Sequence, residues 1–299
     1  MQNFDAILGD RRQRYLATGY RRVCRSLEIS PSFPAEGGEL REGRATATVA
    51  YPPDWSHKPG GTVAPHLSSL DGMLLGEELA RTRARSRYGE TTRRAVLTDI
   101  DIKAGAKPIE TRHPLDVTWS EAMAGNVLTC HARIAGMRVT ATARIARERE
   151  RPAPRQPDLQ EGADVESWVE ALDLPGGTLQ SLHTAAGLPG RNAGRIPDQT
   201  FSLSLPDFLR LAAQAAQLLI YETDGISRSA SNNIWMRRAS FTVDDDITPP
   251  DRQHRMVTQL VKENSLSRAG YLARTFEVEF SLNEMMHCTA SLAYSSASD

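Results

Sequence analysis

Ser68-Ser69-Leu70-Asp71-Gly72-Met73-Leu74-Leu75-Gly76-Glu77-Glu78-Leu79 opens a helix that the chain writes a second time, as Ser204-Leu205-Pro206-Asp207-Phe208-Leu209-Arg210-Leu211-Ala212-Ala213-Gln214-Ala215. Both start Ser-x-x-Asp. That is the spacing of a capping box, in which Ser takes the third amide of the helix and the acidic side chain returns to the Ser amide. The segments downstream of the two helices are repeated as well. Arg93-Arg94-Ala95-Val96-Leu97-Thr98 is echoed by Arg237-Arg238-Ala239-Ser240-Phe241-Thr242, and Met137-Arg138-Val139-Thr140-Ala141-Thr142 by Met286-His287-Cys288-Thr289-Ala290-Ser291. From about Ser68 to Ala146, and again from about Ser204 to Ser295, the order is capped helix, paired Arg, alternating strands. A repeat of that length predicts a duplicated architecture.

Neither helix has the single apolar stripe of a surface helix. Leu70, Met73, Leu74, Leu75 and Leu79 in the first, and Phe208, Leu209, Leu211, Ala212, Ala215, Leu218, Leu219 and Ile220 in the second, predict burial on most sides. Around them the pattern changes to period two. Val127 to Ile134 puts Leu128, Cys130, Ala132 and Ile134 on one face, Ala135-Gly136 supplies a turn, and Met137 to Ile145 alternates back. Its counterpart runs from Thr275 to Leu282, turns at Asn283-Glu284 and returns from Met285 to Tyr294. A further strand is predicted from Arg44 to Tyr51, after an amphipathic lead-in from Leu8 to Val23. One buried helix enclosed by a curved antiparallel sheet is the hot-dog architecture. The expectation is therefore an α+β double hot dog, two antiparallel sheets each wrapped around a long central helix.

At 299 residues the chain has the length of about two ordinary domains. Residues 1–150 form the first expected unit and 164–299 the second. Between them 151–163, opening Arg151-Pro152-Ala153-Pro154-Arg155-Gln156-Pro157, is too charged and proline-bearing to bury a face and reads as a linker. Lys plus Arg is 36 and Asp plus Glu is 37, a formal net charge of −1, so no overall field draws nucleic acid to it. Cys24, Cys130 and Cys288 are odd in number and lack metal or redox spacing, which predicts free thiols in a reducing compartment. No apolar run reaches the roughly 18–20 residues of a membrane span and no signal-peptide core opens the chain, so a cytoplasmic protein is expected. Leu188-Pro189-Gly190-Arg191-Asn192-Ala193-Gly194 lacks the Lys-Ser/Thr ending of a phosphate loop and no dinucleotide fingerprint occurs, so no cofactor is expected.

Met1-Gln2-Asn3-Phe4-Asp5 with Leu8-Gly9-Asp10-Arg11, Gly19-Tyr20-Arg21-Arg22-Val23, Tyr51-Pro52-Pro53-Asp54-Trp55-Ser56 and Pro65-His66-Leu67-Ser68-Ser69-Leu70-Asp71 resemble the bacterial avirulence protein D (AvrD) family over most of the chain. More distantly, the length and the two-unit layout are similar to those of A-factor biosynthesis proteins. The first resemblance implies a part in making syringolide-type acyl glycosides, from a beta-ketoacyl chain and a ketopentose such as xylulose. Both imply an acyl thioester, on acyl carrier protein or coenzyme A, lying in a groove between the halves. Fold analogy alone licenses no reaction.

Five residues stand out as candidates. His57-Lys58-Pro59-Gly60, then Pro65 and Asp71, is similar to the pattern of acyl-carrier-protein dehydratases, where a loop His faces a helix carboxylate. His66 to Asp71 resembles instead the helix start in the second hot dog of polyketide dehydratases. His183-Thr184-Ala185-Ala186-Gly187 is weakly like a dehydratase His loop, and Asp207 repeats the place of Asp71. An imidazole can take a proton near neutral pH, while a carboxylate can orient it or donate a proton. Each Asp also has a purely structural explanation as the acid of its capping box. Asn232-Asn233-Ile234-Trp235 could meet a sugar or a pantetheine amide, or simply start a strand. The sequence thus leaves three functions open: acyl transfer to a sugar-like hydroxyl, dehydration or hydrolysis of an acyl thioester, and non-catalytic acyl-ligand binding. A monomer and a homodimer are equally compatible with it.

Overall fold

A computed structural model of the chain describes residues 1–30, 33–34, 40–53, 55, 57–58, 61–62, 65–89, 93–105, 109–111, 113–147, 165–185, 202–226, 234–245, 248, 251–268 and 271–297. The elements run β1 (Gln2–Asn3), α1 (Phe4–Leu8), β2 (Cys24–Ile29), β3 (Phe33–Pro34), β4 (Arg41–Ala50), β5 (His57–Lys58), β6 (Gly61–Thr62), α2 (Ser69–Tyr88), β7 (Arg93–Lys103), β8 (Leu115–Ala124), β9 (Val127–Ile134) and β10 (Met137–Arg147). The second half continues with β11 (Val165–Asp173), β12 (Thr178–Ala185), α3 (Leu205–Asp224), β13 (Trp235–Val243), β14 (Gln253–Arg268), β15 (Tyr271–Leu282) and β16 (Met286–Ala297).

The repeat is visible in the strand order. Six strands of the first half run β2-β4-β8-β9-β10-β7, and six of the second run β11-β12-β14-β15-β16-β13 in the corresponding sequence. Every pairing is antiparallel. The two predicted hairpins form with turns at Ala135-Gly136 and around Asn283-Glu284, where Ala135, Asn283 and Glu284 adopt positive φ. Strand alternation is clean, as in β9, where Leu128, Cys130, Ala132 and Ile134 are buried and their neighbours are not.

Two expected separate sheets are instead one. β7 and β13 pair over five residues of each, with Arg238 opposite Lys103, Phe241 opposite Ile100 and Thr242 opposite Asp99, so the second echoed segment meets the end of the strand that carries the first. The reason is elementary: left apart, each would present an edge of unpaired backbone groups, and pairing satisfies both at once. The expected division is crossed a second time at the other end. Gln2 and Asn3 pair with Val169 and Trp168 of β11, while α1 packs against β11 and α3, so the first residues of the chain dock on the second half. The linker expected over 151–163 lies outside the described residues.

Each long helix packs on its own half, α2 against β10, β7, β9 and β2, and α3 against β12, β14 and β15. One long helix against an antiparallel six-stranded half, twice over, is a hot-dog type of arrangement. Leu218 is fully enclosed and Leu74 half-buried against the core. α2 approaches β10 closely because two of its positions are glycine. A Cβ on Gly76 would come within 2.5 Å of Val139 Cγ1, and one on Gly72 within 2.2 Å of Met137 Sδ. No helix among the described residues is long and apolar enough to cross a membrane.

Candidate functional site

The start of α2 is where the chain concentrates polar side chains inside the core. Ser68 Oγ accepts from the Asp71 amide at 3.1 Å, and the Ser68 amide donates to Asp71 Oδ2 at 3.3 Å, completing the capping box. Asp71 is fully buried, and its carboxylate takes far more than a cap. Oδ1 accepts from Tyr15 OH at 2.8 Å and Arg25 Nε at 2.6 Å, while Oδ2 accepts from Ser68 Oγ at 2.5 Å and from Tyr51 OH. A carboxylate offers about four lone-pair sites, and all are taken. Burial, and then the charge of Asp71, push the Tyr15 and Tyr51 hydroxyls well above the usual tyrosine range, so both stay protonated donors.

Beside this cluster a cavity of about 220 Å³ opens between the start of α2 and the flank of α3. His66, Ser68, Ser69 and Tyr15 line it on the α2 side, Leu209, Ala212, Gln214 and Gln217 on the α3 side, and Phe241, Phe280 and Leu292 among its sheet residues. Its wall is mostly apolar, with polar groups contributed from both the α2 and the α3 side. His66 is held there by its neighbours' backbone: it forms a bridge with Glu110, and the Leu67 amide donates to the Ile109 carbonyl at 2.8 Å. Its ring lies between two indoles, 5.4 Å from Trp55 and 5.2 Å from Trp235 by ring centres.

Of the five sequence candidates, the cavity receives His66 directly. Asp71 stands behind its wall, connected through Ser68 and Tyr15, both of which line the cavity. His57 begins β5, and its side chain lies outside the described residues. Asp207 closes the second capping box through Ser204 and is paired with Arg210 Nε at 2.9 Å, away from the cavity. Burial would raise its carboxyl, but the Arg210 guanidinium and the Ser204 hydrogen bonds win and hold it below the usual carboxylate range. His183 is on strand β12, not on a loop, and is fully buried, with Nδ1 2.9 Å from Ser167 Oγ and Nε2 3.1 Å from Ser181 Oγ. Burial first, then the charges of Arg210 and His254, pull it down to about 3, so it is neutral at any physiological pH, and it does not line the cavity. The dehydratase-like loop reading of His183 is thus corrected by the strand, because the alternation of β12 turns this position inward.

Sequence reasoning missed Tyr15, Arg25, Trp55 and Gln214. Gln214 faces the cavity and is fixed by accepting from Arg14 Nη1 at 2.8 Å and donating to the Leu16 carbonyl at 3.2 Å. Its mismatch with the repeat, where the first helix carries Glu78, was the available signal. Glu78 itself is exposed, and Glu77 pairs with Arg81 at 2.9 Å. Trp235 lines the cavity and is 40 % exposed, while Asn232 and Asn233 lie outside the described residues.

Residues 1–154 and 183–278 match the family of the Pseudomonas avirulence D protein (AvrD). The chain belongs to the AvrD family. Every residue of the α2 cluster and its His66 neighbour falls inside the matched part, as does the start of α3. No curated protein matches the chain. Among solved structures it is similar to a conserved protein of unknown function with hot dog fold from Alicyclobacillus acidocaldarius, at 12% identity and TM-score 0.43, over 91% of this chain and 96% of that one. It is similar also to GphF Dehydratase 1, at 12% identity and TM-score 0.39 over 90% and 98%. The dehydratase domain from the CurJ module of curacin polyketide synthase gives 10% identity and TM-score 0.40 over 90% and 97%. Likeness at that level says nothing about the reaction of an AvrD-family chain.

Proposed function

We propose that this AvrD-family chain is a cytoplasmic acyltransferase built as two helix-cradling hot-dog units, 1–150 and 164–299. It would join a beta-ketoacyl group from a carrier or coenzyme A thioester to a sugar hydroxyl such as that of xylulose, in making a syringolide-like signal. The observation that carries this reading is the position of His66, an imidazole between two indoles at an apolar cavity beside a helix N-terminus. In this reading the acyl chain occupies the cavity. His66 takes the proton of the acceptor hydroxyl as its oxygen bonds to the thioester carbonyl carbon. The C–S bond then breaks and the thiolate leaves with the proton returned by His66. The first-turn amides of α2, at the same wall, are the donors available to the carbonyl oxygen as negative charge develops there.

Asp71 is a positioning residue in this scheme. Its carboxylate accepts five hydrogen bonds, two from Ser68 and one each from Tyr15, Tyr51 and Arg25, which leave no lone pair for substrate. That occupancy also argues against dehydration, which needs an acid or base free to exchange a proton with the acyl chain.

Purified protein incubated with a beta-ketoacyl thioester and xylulose is expected to give an acyl ester detectable by mass spectrometry, and His66→Ala to slow its formation by about 10²–10⁴-fold. Absence of ester above background overturns the reading. Release of thiol without an acceptor would mean hydrolysis instead. A second reading, a non-catalytic acyl-binding protein, is favoured by one observation: both helix-start carboxylates are consumed in capping boxes. It expects ligand affinity that survives His66→Ala, with no turnover to lose.

A further inference from the structure

On the outer face of the sheet five cations and one threonine stand in one line. Register sets Arg44 opposite Thr118, Thr118 opposite Arg133, Arg133 opposite Arg138, Arg138 opposite Lys103, and Lys103 opposite Arg238. All six side chains are exposed, while Ala132, Val139 and Ile102 beside them point into the core. Neighbouring strands lie about 4.7–4.9 Å apart, and like charges directly opposite each other oppose sheet formation. Four in immediate succession is a pattern that folding by itself disfavours. Arg238 has a partner in Asp101 at 3.2 Å, and among the described residues no ion pair compensates Arg44, Lys103, Arg133 or Arg138.

The row has a place in the molecule as well as a charge. A depression of about 740 Å³ includes Lys103, Arg133, Arg138 and Arg238 in its lining. The same strand ends turn into the cavity wall: Ala104 and Gly105 come directly after Lys103, Met137 precedes Arg138, and Met236 lies two before Arg238, all lining the cavity of His66. That cavity, at about 220 Å³, is smaller than the roughly 300–1,000 Å³ of ordinary ligand sites, so it suits an acyl segment whose carrier remains outside.

We propose that this cross-strand row docks an acidic helix face of the carrier protein that delivers the acyl thioester, an inference that rests on the acyl-transfer reading above. Acidic side chains spaced three or four along a helix have Cβ atoms about 5–6 Å apart, close to the strand spacing, so a helix laid across the strands meets one cation per turn. A free phosphate-bearing thioester would engage one or two cations and leave the line unused. Glu42 and Asp101 in the same depression disfavour a long polyphosphate.

The test is titration of the full chain with a phosphopantetheinylated acyl carrier protein bearing no acyl group, at low and high salt. Arg133→Glu with Arg138→Glu is expected to weaken binding by about tenfold or more and to remove most of its salt dependence, with the milder Arg138→Gln in the same direction. Arg255→Glu, an exposed charge reversal on the distant β14, is expected to bind like the parent. Circular dichroism separates a lost surface from a lost fold. Equal binding by the row variants, no binding by the parent chain, or displacement of the carrier by coenzyme A alone overturns the proposal. Because binding is read without turnover, loss of carrier affinity in the row variants together with no acyl ester in the parent would sink the transfer reading and leave the docking surface standing.

Discussion

The starts of α2 and α3 carry the same four-residue signature and the same capping box, yet they are not the same site. Asp207 spends its carboxylate on Ser204 and on Arg210 one turn along its own helix, and its side chain remains 21% exposed. Asp71 has no exposed surface and gathers two tyrosines and an arginine from the N-terminal segment and the end of β4. The cavity also meets the helices differently, touching the first at its N-terminus and the second along its flank. The repeat thus holds two equivalent caps, and one of them stands at the wall of the cavity because other parts of the chain closed over it. A motif shared by both halves can show only what both need, which is a helix start.

The sharpest way to break this comparison is to remove each carboxylate. Asp71→Ala leaves the Arg25 charge and two buried hydroxyls without their acceptor and should cost about 5 kcal/mol in urea unfolding, the upper end of the range for a broken buried pair, against about 3 kcal/mol, its lower end, for Asp207→Ala, which strands the buried Arg210 alone. Equal losses would mean the extra donors around Asp71 contribute nothing.

Per pH unit, a smaller effect belongs to His183. Its depressed folded value means that the unfolded chain binds more protons between about pH 6.5 and 3, so His183's share of stability is full above about 6.5 and is lost as pH falls. The stability advantage of the native chain over His183→Gln should therefore shrink by about 1.4 kcal/mol per pH unit below 6.5. A constant gap would contradict a buried neutral imidazole.

The smallest contrast tests the two glycines of α2. Gly76→Ala meets the stiff, branched Val139, where overpacking of about 1–3 kcal/mol outweighs the roughly 1 kcal/mol gained in helix propensity, for a net loss of about 1 kcal/mol. Gly72→Ala meets the flexible thioether of Met137, which can move, so thermal melts should show a change near zero.

What the sequence disclosed was local. Both capping boxes, the β9–β10 and β15–β16 hairpins and the enclosure of Leu218 come from residues within one turn or one period of each other. The donors on Asp71 come from 20, 46 and 56 residues away, and no periodicity connects them. The β7–β13 seam was hidden for a different reason: β7 and β13 read as equivalent strands of two sheets, and nothing in either says that the end of one pairs with the other. His66 was legible through its place two residues before a cap, whereas the mismatch of Gln214 with the repeat took on meaning only once the flank of α3 lay across the cavity from the start of α2.

The most direct measurement is a crystal structure of the chain with a non-hydrolysable beta-ketoacyl pantetheine thioester analogue. The account predicts the acyl chain between α2 and α3, with its reacting carbonyl within hydrogen-bond reach of the His66 imidazole and Asp71 still occupied by Tyr15, Tyr51, Arg25 and Ser68. An analogue bound elsewhere, or one whose carbonyl lies against the α3 start beside Asp207, would contradict it.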